Sequence, residues 1–271
     1  MSEPIAFIGG GNMASAIING LVSQGFARDN IIVVEPWQEA RDKLKTQLGV
    51  QAHEVPGPYL QAAKTVVWAV KPQTFKEAAH QSGLHTQAAL HLSVAAGISS
   101  ASIAKWLSSE RIVRAMPNTP ALIGKGITAL FARPGIGAEE KVGIEQIIQS
   151  TGEWLWVDKE DKLDAVTALS GSGPAYVFYF LEAMTEAGEH MGLTREQSHQ
   201  LAVATFAGAS ELARRSDEPP QVLRQRVTSK GGTTHAAITA MQAAQVGELL
   251  RQAILAARDR AQAMGQEFGG S

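Results

Sequence analysis

One stretch, Ile5-Ala6-Phe7-Ile8-Gly9-Gly10-Gly11-Asn12-Met13-Ala14, constrains this chain more than any other. A short apolar run breaks into three glycines and then continues with helix-compatible spacing towards Leu21. That order reads as strand, tight turn, helix, with Gly9-x-Gly11-x-x-Ala14 laid over it. Gly9 lets the chain turn, and Gly11 removes a side chain where a pyrophosphate would meet the backbone. Ala14, in place of a third glycine, is small enough for helix to pack on strand. The helix would aim its unpaired N–H groups, Asn12 and Met13 among them, at the phosphates. The expectation is a dinucleotide site rather than a plain turn.

The next segments repeat the same alternation. Ile31–Val34, Thr65–Val70 and Ala88–Val94 read as buried strands, and Arg111–Ala115, Ile127–Phe131 and Trp154–Val157 as shorter ones. Between them, helical spacing covers Gln38–Leu48, a segment starting at Pro72, Ser99–Leu107 (Ser99 as N-cap) and Ala138–Gln149. Unbroken apolar strands alternating with helices imply a mostly parallel, doubly wound α/β sheet. Ligands of such sheets lie beyond the carboxyl ends of the strands. Three turns should therefore join the glycine loop at one edge: Ala69-Val70-Lys71-Pro72, Ala95-Ala96-Gly97, and Met116-Pro117-Asn118-Thr119-Pro120. Together they suggest a floor for nicotinamide and substrate, although each alone could be an ordinary turn.

Glu35 bears on the choice of cofactor. An acid ending the second strand, roughly 20 residues past the glycines, accepts bonds from a ribose 2′-hydroxyl and repels a 2′-phosphate. That favours NADH. Arg41 and Lys43 nearby count against it, and Pro36 could turn Glu35 outward as a plain surface acid.

From about Leu163 the texture changes to helix after helix, which places a domain boundary at 158/159: a Rossmann-type domain over 1–158 and an all-α domain over 159–271. Asp164–Leu169 reads as a short helix, interrupted by Ser170-Gly171-Ser172-Gly173. A long apolar helix then runs from Pro174 to Gly188, more apolar than one small domain needs, which implies a partner subunit. Thr194-Arg195-Glu196-Gln197 heads the next helix as a capping box, and two more follow Pro219 and Val246. The loop Ser229-Lys230-Gly231-Gly232-Thr233-Thr234 offers glycines and hydroxyls just before another helix, an arrangement suited to a small carboxylate. The tail from Gly265 to Ser271 is expected to fray.

Other function classes lack support. The formal charge of −2 carries no basic block, so no nucleic-acid partner is expected. With no cysteine there is no disulfide, thiolate metal site or cysteine nucleophile. The seven histidines are scattered, and no metal site is expected. There is no Gly-x-Ser-x-Gly elbow and no phosphate loop ending in Gly-Lys-Ser/Thr. The start Met-Ser-Glu-Pro has no basic-then-apolar leader, and no apolar run reaches membrane-spanning length, so a cytoplasmic protein without a membrane partner is expected.

Six stretches together resemble the pyrroline-5-carboxylate reductases: Phe7–Ala14, Ala69–Pro72, Ser93–Gly97, Arg114–Ala121, Ser170–Tyr176 and Ser229–Thr234. They span nearly the whole chain in the right order, and the last three are the distinctive ones. The resemblance implies an amino-terminal Rossmann domain and a carboxy-terminal helical dimerisation domain. It implies hydride transfer from NADPH, or alternatively NADH, to the imine carbon of 1-pyrroline-5-carboxylate, giving L-proline. Cofactor contacts would come from Gly9, Gly11, Asn12, Met13, Glu35, Ala69, Val70, Lys71, Pro72, Ala95, Ala96, Gly97 and Asn118, the last near the nicotinamide. Ser229, Gly231, Gly232, Thr233 and Thr234 would receive the substrate carboxylate, with Thr234 as the catalytic residue near the ring nitrogen. A homodimer at least, and a ring of dimers as a further step, is the implied assembly.

Two departures stand out. Lys230 replaces a proline common in the family, which either loosens the loop or adds a charge for the carboxylate. Glu35 stands where NADPH-preferring members often have a small hydroxyl residue. Both cofactors are expected to work, with Glu35 reducing any preference for NADPH. A hydroxyacid dehydrogenase of related architecture is the alternative enzyme, but it would need a proton donor, usually a lysine, and Pro174–Gly188 has none. A non-catalytic nucleotide sensor is the alternative outside enzymes.

Overall fold

The computed structural model describes residues 3–269. They form two compact units, 3–172 with 257–269, and 173–256.

The first unit is built on the expected strands. β1 (Ile5–Ile8), β2 (Ile31–Val34), β4 (Thr65–Trp68), β5 (Leu90–Ser93) and β6 (Ile112–Met116) are parallel, and a two-residue β3 (Ala52–His53) adds to the edge beside β2. The sheet order is β3-β2-β1-β4-β5-β6-β7-β8, the doubly wound arrangement with two extra strands. β7 (Gly126–Ala132) runs antiparallel to β6, and β8 (Gly152–Trp156) follows β7 in parallel.

Alternation along each strand feeds two cores. Ile5 and Phe7 face α1 (Asn12–Ser23) and α5 (Ala138–Gln149), joining Ile17, Ile18, Leu21, Ile144 and Ile148. Ala6 and Ile8 face the other side, with Trp68, and with Phe75 on α3 (Pro72–Ser82) and Ile103 and Trp106 on α4 (Ser100–Leu107). Ser99 caps α4 as expected: its side chain accepts the Ser102 N–H at 3.0 Å. Inside the second core His91 is fully buried, its Nδ1 accepting the Trp68 Nε1–H at 3.1 Å. Burial, and secondarily the positive charge of Arg111, push its pKa down to about 4.

One local reading is refined and two are corrected. The segment after α2 (Gln38–Lys43) widens into a π turn over Leu44–Leu48, which ends at Gly49 with φ of 67°. Ser170 and Gly171 do not interrupt the helix after α6 (Lys162–Val166). They complete a π turn over Thr167–Gly171, in which Ser170 Oγ donates to the Val166 carbonyl at 3.1 Å. The tail does not fray from Gly265. α11 (Val246–Gly269) stays helical through Gly269, whose carbonyl accepts the Ser102 Oγ–H at 2.8 Å. Gly270 and Ser271 lie outside the described residues.

Packing divides the chain differently from the sequence boundary at 158/159. Residues 159–172 join the first unit through Glu160, which accepts from the Ser100 N–H (2.5 Å), the Ser100 hydroxyl (2.6 Å) and Arg114 Nη1 (2.8 Å). Burial alone would raise the Glu160 carboxyl, but those Ser100 and Arg114 bonds outweigh it and hold the pKa below the ordinary value.

The second unit is helical. α7 (Gly173–His190) packs on α8 (Arg195–Arg215) where Gly188 lies against Ser198 and Phe180 against Phe206, the rings 6.4 Å apart. Thr194 and Gln197 form the expected capping box, at 3.2 and 3.0 Å. α9 (Pro220–Arg226) and α10 (Thr233–Ala243) complete the run to α11. Phe178 and Tyr179 on α7, Leu201 and Leu212 on α8, and Leu249 on α11 are exposed within the single chain.

Candidate active site

The carboxyl ends of β1, β4, β5 and β6 share one edge of the sheet, so the glycine loop and the three expected turns come together there. β4 ends at Trp68, two residues earlier than expected, because Ala69 and Val70 already belong to the turn. Gly9 lies directly against them: its φ is 95°, and a Cβ there would stand 2.7 Å from the Ala69 carbonyl oxygen. Any side chain at Gly9 would therefore be strained twice over.

Gly11 is different. It is the exposed N-cap of α1 with ordinary φ (−71°), and a Cβ built on it meets nothing within 4 Å. No side chain caps the helix, and no acid occupies its first turn. Exposed Asn12 and half-buried Met13 open a helix whose first N–H groups no side chain caps. That is the cradle a pyrophosphate requires.

The other turns stand as follows. Lys71 is the exposed N-cap of α3, with Pro72 at its first position. Ala95 is buried and Ala96 and Gly97 half-buried, and Gly97 lies under Met264 of α11. Asn118 is buried, its Oδ1 accepting the Ile127 N–H at 3.0 Å and its Nδ2 donating to the Ser170 carbonyl at 3.2 Å. It pins the β6–β7 connection to the π turn, with one amide hydrogen left over.

Glu35 is not turned outward as a surface acid. It is buried, with Oε2 accepting the Gly10 N–H at 2.7 Å and Oε1 the Trp37 N–H at 2.9 Å. Arg41 braces the same turn, donating to the carbonyls of Glu35 (2.9 Å) and Pro36 (2.7 Å). Sequence reading missed Arg114 and Glu160. Their ion pair ties β6 to the start of α4, the two elements that carry the Met116–Pro120 and Ala95–Gly97 turns. An arginine two residues before the Met116 turn was the available signal, but its partner 46 positions away was not.

In the second unit, the loop before α10 turns at Gly231 (φ 77°), and the Gly232 N–H donates to the Ser229 carbonyl at 3.1 Å. Gly232 caps α10 with no side-chain bond and no acid in the first turn, so the N–H groups around Thr233 and Thr234 carry no side-chain cap. Ser229, Gly231 and Thr233 are exposed, and Thr234 is half-buried. Among the described residues no group of three histidines, cysteines or carboxylates could hold a metal ion, and no helix is long and apolar enough to cross a membrane.

Comparison with known proteins decides what this arrangement belongs to. Residues 160–264 match the family model described as pyrroline-5-carboxylate reductase dimerisation. The chain is 42% identical to a pyrroline-5-carboxylate reductase of Pseudomonas aeruginosa, over 99% of this chain and all of that one. The chain belongs to the pyrroline-5-carboxylate reductase family. Residues 4–97 also match a model described as NADP oxidoreductase, coenzyme F420-dependent. A solved reductase of this family from Coxiella burnetii is 38% identical with a TM-score of 0.90, covering 97% of this chain and 99% of that one. The reductase from Plasmodium falciparum, solved with NADP bound, is 28% identical with a TM-score of 0.88, covering 97% and 98%. Family membership accounts for both the mostly parallel Rossmann-type unit and the helical unit that follows it.

Proposed function

We propose that this chain is an NAD(P)H-dependent reductase of a cyclic C=N bond, acting on 1-pyrroline-5-carboxylate to give L-proline as the last step of proline biosynthesis. The observation that carries the reading is the uncapped α1 N-terminus at Gly11, open to solvent on the sheet edge that also bears the 69–72, 95–97 and 116–120 turns, in a chain of this family.

When bound, NAD(P)H supplies the hydride. The N–H groups from Gly11 to Met13 hold the pyrophosphate, and Ala69–Pro72, Ala95–Gly97 and Asn118 position the nicotinamide end. The Ser229–Thr234 loop receives the substrate carboxylate on the free N–H groups that open α10, with the Lys230 ammonium adding charge. Thr234 Oγ accepts a hydrogen bond from the protonated ring nitrogen and keeps the imine carbon oriented. A protonated cyclic imine is already electrophilic, so these residues act by positioning and by excluding water rather than as strong acids. That suits a site whose residues include no histidine. The functional division is proposed at 158/159, which the family match beginning at residue 160 supports.

The family match to a dimerisation domain supports self-association, and the exposed apolar residues on α7, α8 and α11 are the surface for it. We take the assembly as a homodimer that can build further into a ring, in the cytoplasm, with no nucleic-acid or membrane partner. A monomer by light scattering at micromolar concentration would count against this assembly. The activity is tested by following NADPH and NADH oxidation with pyrroline-5-carboxylate while assaying proline. Oxidation matched mole for mole by proline is expected; no turnover with either reductant, from folded protein, would refute the assignment.

A further inference from the structure

Cofactor choice can be read from the turn between β2 and α2. The reading rests on the dinucleotide site proposed above. The residue ending the second strand of such a fold meets the adenosine ribose, so any group that could accept or reject a 2′-phosphate should sit in Glu35–Lys43. A 2′-phosphate needs N–H donors or a free cation. At Pro36, Trp37 and Arg41 the turn offers neither. Pro36 has no N–H, and the Trp37 N–H is given to Glu35 Oε1. The guanidinium of Arg41 is divided among the Glu35 and Pro36 carbonyls, Gln38 Oε1 at 2.5 Å and Glu54 Oε2 at 3.3 Å, with its side chain only 13% exposed. Gln38 Nε2 donates to Asp42, and Lys43 pairs with Glu39 on the exposed face of α2.

The carboxylate of Glu35 cannot swing away as a surface acid could. Turning it outward would strip the Gly10 and Trp37 N–H groups of their acceptor. Each of its oxygens has accepted one N–H and keeps a second lone pair, which a neutral ribose hydroxyl can use and a phosphate cannot.

We propose that this turn selects a free 2′-hydroxyl, making NADH the preferred dinucleotide and Glu35 the residue that enforces the choice. Arg41 has a part as well. By holding the Glu35 and Pro36 carbonyls it fixes the turn, so the cation nearest the ribose is spent on structure instead of on phosphate. The family relative solved with NADP bound shows only that the fold itself admits the phosphorylated form.

The test is binding, measured apart from turnover: titration calorimetry of the folded protein with NADH and NADPH, for wild type and for Glu35→Ser and Glu35→Gln. Wild type should bind NADH at least tenfold more tightly than NADPH. Removing the charge should narrow that ratio by about tenfold in both variants, with far-ultraviolet circular dichroism confirming the fold. Should Glu35→Ser not fold, the isosteric Glu35→Gln alone decides. Wild type binding NADPH as tightly as NADH, or a ratio unmoved by the substitutions, overturns the inference while leaving the reductase assignment intact. Failure to bind either dinucleotide would overturn the nucleotide site and the inference together.

Discussion

The Glu35 carboxylate accepts the Gly10 N–H at 2.7 Å although 25 positions of chain separate the two residues. The end of β2 thereby holds the middle of the glycine loop. Because the same carboxylate also serves the Trp37 N–H, removing it leaves two backbone donors without their acceptor. Glu35→Ala should lower unfolding stability by about 1–3 kcal/mol, the cost of a buried polar group left unpaired. Urea denaturation checks this, and an unchanged midpoint would mean that water replaces the carboxylate at no cost.

The glycines on either side of Gly10 should separate fold from binding. Gly9→Ala places a Cβ 2.7 Å from the Ala69 carbonyl in a left-handed conformation, and should cost about 1–3 kcal/mol of stability as well as dinucleotide affinity. Gly11→Ala meets nothing and should stay within about 1 kcal/mol of wild type. It should still weaken dinucleotide binding at least tenfold by obstructing the approach to α1. Thermal melts paired with calorimetry read both effects; normal affinity in Gly11→Ala would remove the pyrophosphate from this cradle.

His91 makes stability depend on pH. Its folded pKa of about 4 lies below the ordinary 6.5, so between those values the unfolded chain takes up a proton that the folded chain refuses. Its contribution is fully present above pH 6.5 and is lost as pH falls towards 4, about 3 kcal/mol in all. Stability curves at pH 7.5 and 4.5 for wild type and His91→Gln should differ in slope by roughly that amount. Parallel curves would show that water reaches the ring and that its burial carries no penalty.

Thr234 is the second residue of α10, a helix whose N-terminus carries no side-chain cap. If its hydroxyl bonds the substrate nitrogen, Thr234→Ala should reduce kcat/KM for pyrroline-5-carboxylate by ~5- to ~150-fold, with Thr234→Ser restoring most of it. Dinucleotide affinity should be unaffected. Equal weakening of both would place the loop elsewhere in the reaction.

Much of the fold was legible because its signals are local. Apolar strands such as Ile31–Val34, the Ser99 cap and the Thr194–Gln197 box each depend on a handful of consecutive residues. The edge strand Ala52–His53 was not legible, since two residues carry no period. The π turns at Leu44 and Thr167 escaped for a similar reason, as one extra residue per turn barely disturbs helical spacing. The tail was misread because what holds Gly269 is Ser102, 167 positions away. The direction of Glu35 was likewise invisible: its partner Gly10 is a backbone N–H, which leaves no mark in a sequence. Motifs marked the turns that share one sheet edge, but long-range hydrogen bonds set how their residues are held.

The central claim is hydride delivery to the imine carbon, and isotope transfer tests it most directly. The protein would be given pyrroline-5-carboxylate and NADH or NADPH carrying deuterium at both nicotinamide C4 positions, and the product examined by nuclear magnetic resonance. The expected result is L-proline bearing one deuterium on the former imine carbon. Proline without that label, or no proline from protein that binds the dinucleotide, would contradict it.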